Sequence, residues 1–361
     1  MELINNISNN VIYEISLGRS VRPRLIEKVF IHILNCKNPT IRDVQLGQFL
    51  TGLQIKGLKI SEGVALLRSV LRFSRLKRKK IDYINKKPVV MVAGSGKKFL
   101  KTINISTPAS IIASSSEKLY IVKNVSHSTS SLLGSADFLS MVGANVKIKA
   151  DKMLEIVKKI GFGAFSIEGL VPNFDLRYGG RFFTPTSLSY GLAAILSPLS
   201  TNFLYYGLSL PDVAKSIKIL SHFGFKNILA LTNLYDGKHC IDELLPVGKN
   251  IIMEFKNSNI VRKRLSFYKK YNYDIKPLLT KEKPEKQIKY ILGLLQGKGD
   301  EVSIECLCLN SGAILYLANV VRTIKDGYNF SKSIIKKKIP FYKLLEFIKL
   351  TGGEINRSFF H

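Results

Sequence analysis

The stretch VVMVAGSGKKFLKTINISTPAS, Val89 to Ser110, holds the densest set of residues suited to chemistry. An apolar run of strand type, Val89 to Ala93, leaves through Gly94, Ser95 and Gly96. It then passes Asn104, Ser106 and Thr107 into the helix-compatible STPASIIAS. A glycine-rich turn after a strand exposes backbone N–H groups, and the helix N-terminus that follows adds partial positive charge, so an anion such as phosphate can sit there without a dedicated side chain. Gly94, Gly96, Asn104, Ser106 and Thr107 are the expected donors. A Gly-Ser-Gly exit also arises for steric reasons alone, so the turn by itself does not decide the matter. Lys97 and Lys98 stand where such a loop usually carries a carboxylate for a metal or sugar.

These residues need a scaffold, and 361 residues give room for two domains or one large one. Hydrophobic residues at 46% and charged ones at 22% exclude a disordered chain. No apolar run reaches the roughly 18 residues that span a bilayer, and MELINNISNN has no export-signal pattern. A cytoplasmic protein with no membrane partner is the expectation. Cys36, Cys240, Cys306 and Cys308 have neither C-x-x-C spacing nor the density of a disulfide scaffold. The 55 Lys and Arg against 26 Asp and Glu give a formal +29. A lysine-rich proteome normally brings matching glutamates, which are missing here, so nucleic acid enters as a candidate partner.

From about Asn10 to Arg72 the pattern is helical, with Leu25, Val29 and Ile33 on one stripe, Phe30 and Leu34 beside it, and a cap expected at Thr40 or Ser61. Residues 1–72 are read as a helical domain and 73–88 as a basic connector. In the run Arg72 to Pro88, eight of seventeen residues are basic. Residues 89–361 are read as an α/β domain. Strands are expected at Val89 to Ala93, Leu119 to Val122, Phe203 to Tyr206 and Ile228 to Thr232, with helices such as Ala150 to Ile160 and Pro211 to Phe223 between them. That alternation predicts a mainly parallel central sheet. Two packed helices follow Ser303, and a last helix is expected to stop at Gly352.

The order of motifs resembles the anthranilate phosphoribosyltransferase family, of the nucleoside phosphorylase-like phosphoribosyltransferase fold. The family's G-T-G-G-D loop and N-[IV]-S-T segment correspond to Gly94 to Lys98 and Asn104 to Thr107. Its K-H-G-N-x-x-x-S corresponds to Lys123, Asn124, Val125, Ser126 and Ser130. GSAD at Gly134 to Asp137 is intact, and the family's D-E magnesium pair is matched by Asp242 and Glu243 in KHCIDELLPVG. FLTGLQIKG and ANVVRTIKDGYNF extend the resemblance over nearly the whole chain. It implies a small helical domain facing a larger α/β domain across a cleft, joined by part of the 171–190 region. It also implies phosphoribosyl pyrophosphate as substrate, held by Gly94, Ser95, Gly96, Lys97, Lys98, Asn104, Ser106, Thr107, Lys123 and Ser130. Mg2+ on Asp242 and Glu243, an acceptor beside Asn124, Arg177 and Arg181, and a homodimer complete the implied picture. No catalytic residue is assigned, and His239 is expected at the surface.

The departures shape the functional expectation. Lys98 replaces the loop aspartate, Lys97 narrows the loop where a glycine would let the backbone approach a diphosphate, and Asn124 to Ser126 replace H-G-N. DLRYGGRFFTPTSLSYG is about three residues longer than the family segment, and its arginines, Arg177 and Arg181, fall out of register, which points away from anthranilate as acceptor. Two readings follow. One is a magnesium-dependent phosphoribosyltransferase with a different aromatic or nitrogen acceptor and with Lys97 and Lys98 on the pyrophosphate. The other is a catalytically lost paralogue whose basic surface binds single-stranded nucleic acid, with stacking faces at Phe267, Tyr268, Tyr271 and Tyr273.

Overall fold

The computed structural model describes residues 2–128, 131–265 and 274–360. Ser130, the four aromatic residues from Phe267 to Tyr273, and Lys269 and Lys270 among them lie outside the described residues.

Four helices open the chain: α1 (Glu2–Ser16), α2 (Pro23–Asn35), α3 (Pro39–Ile55) and α4 (Ile60–Ser74). The stripe on α2 is buried through Ile26, Val29, Phe30, Ile33 and Leu34. The caps sit two residues before the expected ones. Asn38 Oδ1 accepts from the Ile41 N–H at 3.2 Å, ahead of Pro39, whose missing N–H suits the first helical position. At α4, Glu62 reaches back to accept from the Lys59 N–H at 2.9 Å, so a carboxylate in the first turn does what Ser61 was expected to do.

Within the basic run, β1 (Lys79–Lys80) and β2 (Tyr83–Ile84) precede β3 (Lys87–Gly94). Asn85 and Lys86 take φ of 47° and 61°, the double left-handed turn that joins twisted antiparallel strands, and they close a β2–β3 hairpin. Then follow α5 (Ser106–Ser114), β4 (Tyr120–Val125), α6 (Ser135–Met141), α7 (Ala150–Ile160), β5 (Phe162–Ser166), α8 (Ile167–Leu170), α9 (Pro172–Tyr178) and α10 (Leu192–Ile195). Next come β6 (Leu199–Ser200), β7 (Phe203–Gly207), α11 (Val213–Leu220), β8 (Asn227–Leu234), β9 (Cys240–Ile241), β10 (Lys249–Lys256) and β11 (Asn259–Lys263). Helices α12 (Pro284–Leu295), α13 (Glu301–Leu317), α14 (Ile324–Lys336) and α15 (Ile339–Leu350) close the chain.

The main sheet runs β11-β10-β8-β7-β3-β4-β5, with β2 added to β3 and β9 to β8. Strands β8, β7, β3, β4 and β5 are parallel, and β10 and β11 are antiparallel. All four expected strands are present. β5 and the β10–β11 hairpin were not read from the sequence, because FGAFS is short and lysines and asparagines flank the hairpin strands.

Period-two alternation splits the core between two faces. Phe203, Tyr205, Leu229 and Leu231 face one side, packed with residues of α5, α7 and α12 to α15. Leu204, Tyr206, Ile228 and Ala230 face the other, in one continuous core with α1 to α4 and with Phe174, Tyr178, Leu188 and Tyr190. The four cysteines are free thiols, and among the described residues no helix is long and apolar enough to cross a membrane.

Candidate phosphate and carboxylate site

Chain direction around the sheet reverses at β3. From it the order runs to β4 and β5 on one side and to β7 and β8 on the other. Loops leaving the carboxyl ends of β3 and its neighbours part there and open a crevice, the usual ligand position in an open parallel sheet. A cavity of about 250 Å³ lies at that point. Gly94, Ser95, Gly96, Lys97, Lys98, Asn104, Ser106, Lys123, Asn124, Asp242 and Glu243 all line it, drawn from β3, α5, β4 and the segment after β9.

The loop is held from two sides. The Ser95 N–H donates to the Gly207 carbonyl at 2.9 Å. Ser209 donates its N–H to Ser95 Oγ at 2.8 Å and its hydroxyl to the Gly96 carbonyl at 2.6 Å. The Gly96 N–H donates to Asp242 Oδ2 at 2.9 Å. A Cβ on Gly94 would stand 3.0 Å from Asp242 Oδ2 and one on Gly207 would stand 1.9 Å from the Asp242 carbonyl oxygen, so both glycines are needed for this segment to approach. The Ser95 and Gly96 amides are thereby turned onto protein acceptors, so the Gly96 N–H is not the free anion donor expected from the turn. Asp242 arrives from elsewhere in the chain to claim one of them.

Lys98 is the centre of the arrangement. Its Nζ donates to Glu243 Oε1 and Oε2 at 2.8 and 2.7 Å and lies 3.3 Å from Asp242 Oδ1, the last an ion-pair contact without hydrogen-bond geometry. The side chains of Lys98, Asp242 and Glu243 are only 12%, 7% and 6% exposed. Burial disfavours the charged form of Lys98, but the Glu243 and Asp242 charges outweigh it and hold its pKa above the usual lysine range. Burial would likewise raise Asp242, yet the Lys98 charge and the Gly96 N–H keep it below the ordinary carboxylate range. Burial and the neighbouring Asp242 charge push Glu243 upward, against the Lys98 ammonium that donates to both of its oxygens. Lys123, within the buried β4, is pushed down to about 8 by burial.

The other expected residues divide. Lys97 takes φ of 57°, and its Nζ turns to the Tyr178 hydroxyl at 3.1 Å and over the rings of Tyr178 and Phe182 at 4.7 and 5.5 Å. Asn124 Nδ2 donates to the Ala193 carbonyl at 2.7 Å, while its buried Oδ1 has no hydrogen-bond partner. Thr107 is fully buried outside the cavity wall, and its N–H donates to Asn104 Oδ1 at 3.3 Å. Arg177 and Arg181 do not line the cavity. Arg177 donates to the Cys36 carbonyl at 3.4 Å and Arg181 to Asp43 Oδ1 at 2.9 Å, so both tie α9 and its exit to the opening helices. His239 sits beside exposed Asp236 and stacks on Phe99 at 4.0 Å, as expected of a surface residue.

The sequence reading missed Lys101, His127, Glu168, Asp175 and Tyr178, all of which line the cavity. Lys101 belongs to the same basic loop and was legible by position. The Glu168 carboxylate, which accepts from the His127 N–H at 2.7 Å, carries no local signal, because α8 meets this loop only after the sheet has formed.

A mainly parallel α/β sheet with polar donors, lysines and paired carboxylates gathered at its switch point forms a crevice suited to an anionic ligand. The chain belongs to the glycosyl transferase family, a/b domain, which it matches over residues 86–337. The resemblance read from the sequence is borne out. The chain is 28% identical to the anthranilate phosphoribosyltransferase of Helicobacter pylori (strain Shi470) over 332 residues, 90% of this chain and 94% of that one. To the Dehalococcoides mccartyi (strain CBDB1) enzyme of the same name it is 27% identical over 347 residues, 93% and 95% of the two chains. Among solved structures, anthranilate phosphoribosyltransferase from Thermus thermophilus superposes with a TM-score of 0.77 at 18% identity, covering 94% of this chain and 99% of that one. The Saccharomyces cerevisiae enzyme in complex with phosphoribosyl pyrophosphate and Mg gives 0.76 at 17%, covering 92% and 93%. These structures establish the expected fold.

Magnesium demands a near-octahedral oxygen shell at about 2.0–2.1 Å. Asp242 and Glu243 offer oxygens of the right kind, but the Lys98 ammonium already occupies them. Among the described residues no group of three or more His, Cys, Asp or Glu is placed to hold an ion. In this arrangement the donor set does not fit a resident magnesium.

Proposed function

We propose that the cavity binds phosphoribosyl pyrophosphate and that the protein transfers its phosphoribosyl group to an aromatic or nitrogen acceptor other than anthranilate. The observation that supports this best is the convergence of the β3 loop, the first turn of α5, Lys123 and the Asp242–Glu243 segment on one cavity at the switch point. Asn104, Ser106 and the α5 N-terminus suit the 5′-phosphate. Lys98, Lys101 and Lys123 suit the diphosphate. In the transfer, the bond from ribose C1 to the diphosphate oxygen breaks, a bond from C1 to the acceptor forms, and the acceptor loses a proton. Positive charge developing on the sugar favours flanking carboxylates, and negative charge on the leaving diphosphate favours the lysines.

Arg177 and Arg181 are engaged with the helical region, and Glu168 and Asp175 line the cavity instead, so an acceptor carboxylate finds no guanidinium among these residues. Asn124, with its orphaned Oδ1, is the residue proposed to meet the acceptor. The proposal includes residues 1–72 as a helical domain that pairs two copies, residues 73–88 as the connector and residues 89–361 as the α/β domain. Titration calorimetry with phosphoribosyl pyrophosphate tests the reading. Wild type is expected to bind, and Lys123→Met to bind at least about tenfold more weakly. Absence of binding to wild type, with and without magnesium, would overturn it.

A further inference from the structure

Glu243 and Asp242 present three oxygens around one point, and an ammonium group stands there. Lys98 Nζ lies 2.8 and 2.7 Å from the two Glu243 oxygens and 3.3 Å from Asp242 Oδ1. An ion bound at metal distances to the same oxygens would need the space that Nζ fills. Lys98 is not a surface side chain that has drifted inward, since its own side chain is nearly as sheltered as those of its partners, at 12% exposed. Its backbone is also fixed. Two residues earlier the Gly96 N–H holds Asp242 Oδ2, and the Lys98 carbonyl accepts from Lys101 Nζ at 2.5 Å. Displacing the ammonium would leave a buried cation unpaired or reopen the loop, and breaking a buried pair is strongly unfavourable.

We infer that Lys98 is a tethered cation that takes the place of a divalent metal at Asp242 and Glu243, so that the cavity accepts its diphosphate ligand without a metal ion. The identity of that ligand rests on the function proposed above. An ammonium has three N–H bonds. Two point to Glu243 and the third is left for a ligand oxygen, while Asp242 stays an ion-pair partner at 3.3 Å, so the ammonium joins carboxylates to ligand as a metal would. A lysine brings one charge where a divalent ion brings two, and Lys101 and Lys123 in the same wall supply the balance. One substitution in the loop thus converts a metal-bridged diphosphate site into a wholly protein-made one.

The test compares phosphoribosyl pyrophosphate binding to wild type in EDTA and in millimolar magnesium chloride by calorimetry. Affinity in EDTA is expected to equal that in magnesium within about threefold. Binding that vanishes in EDTA and returns with magnesium would overturn the inference and leave the proposed ligand standing. A second measurement does not depend on that ligand. Mn2+ is titrated into wild type with inorganic pyrophosphate and followed by electron paramagnetic resonance. The free Mn2+ signal is expected to match the protein-free control, and a protein-dependent loss of one equivalent would overturn the inference. Lys98→Ala, which frees both carboxylates, is expected to gain at least about tenfold in affinity for phosphoribosyl pyrophosphate on adding magnesium. Magnesium indifference in a folded Lys98→Ala protein would count against the inference, and if that variant does not fold, the two wild-type measurements decide.

Discussion

Lys123 carries the clearest consequence of burial for a single residue. It sits in a strand buried along its whole length, with the Asn124 carbonyl at 3.4 Å and the Asp242 and Glu243 charges within reach, and its pKa falls to about 8. A depressed lysine pKa means that the unfolded chain holds the proton more tightly. This group's contribution therefore favours the folded state above the ordinary lysine range, and that contribution is lost as pH falls through about 8. Anion binding runs the opposite way, because only the protonated amine attracts phosphate. Affinity for phosphoribosyl pyrophosphate is expected to weaken from about pH 7 to about pH 9, by up to roughly tenfold for each unit above the pKa. Lys123→Met should bind weakly with a flatter profile. An equally steep fall in that variant would show that another group titrates.

At the scale of elements, Glu62 decides how the opening helices meet. It is fully buried, pairs with Lys56 Nζ at 2.6 Å at the end of α3, accepts from the Lys59 N–H at the start of α4, and accepts from the Val21 N–H at 3.2 Å before α2. Removing it strands a buried ammonium and two amides. Glu62→Ala is expected to destabilise the protein by about 3–5 kcal/mol, the usual cost of breaking a buried pair, measured by urea unfolding. Glu62→Gln keeps the volume but only one of the two oxygens that accept from Val21 and Lys59, and is expected to lose less than the alanine variant. Equal losses would mean that the volume and remaining hydrogen bond kept by glutamine contribute nothing beyond the charge.

The whole molecule presents two surfaces with consequences. On α3, Ile41, Val44 and Ile55 are 51%, 57% and 81% exposed along one stripe, opposite buried Leu46, Phe49, Leu50 and Leu53. That exposed stripe suits the proposed pairing of two copies through the helical region. Light scattering at micromolar concentration is expected to give a dimer, and Val44→Lys a monomer. A monomeric wild type would remove the pairing. The second surface is the +29 charge. Part of the run from Arg72 to Lys87 serves structure: Arg78 is largely buried over the Phe225 ring at 5.6 Å, and Arg72 pairs with Glu27 at 2.7 Å. Arg75, Lys77, Lys79, Lys80, Lys86, Lys87 and Lys336 to Lys338 are exposed. Single-stranded DNA is expected to bind through this charge without a pocket, losing on the order of a thousandfold in affinity between 50 and 200 mM salt if about six phosphates are neutralised. Phosphoribosyl pyrophosphate in the cavity should respond far less. DNA binding indifferent to salt would overturn the electrostatic account.

What repeats locally could be read from the residues in order. Val89 to Ala93 lie within the longer β3, while STPASIIAS forms α5 and Ala150 to Ile160 forms α7 with the bounds read from the sequence, because apolar alternation and helical spacing are properties of a few adjacent residues. Motif order was equally legible, and it located Gly94, Asn104, Lys123, Asp242 and Glu243 before their meeting was visible. What those residues do to one another came from the folded chain. Gly96 and Asp242 are 146 positions apart, and only the β3 switch point brings the amide of one onto the carboxylate of the other. The same closure turned Lys98 onto Glu243 and sent Arg177 and Arg181 to the helical region, away from the cavity. A charge has no direction in a sequence. Its partner is chosen by whichever opposite charge the folded backbone brings within a few ångströms, and burial then fixes the choice by making every other arrangement costly.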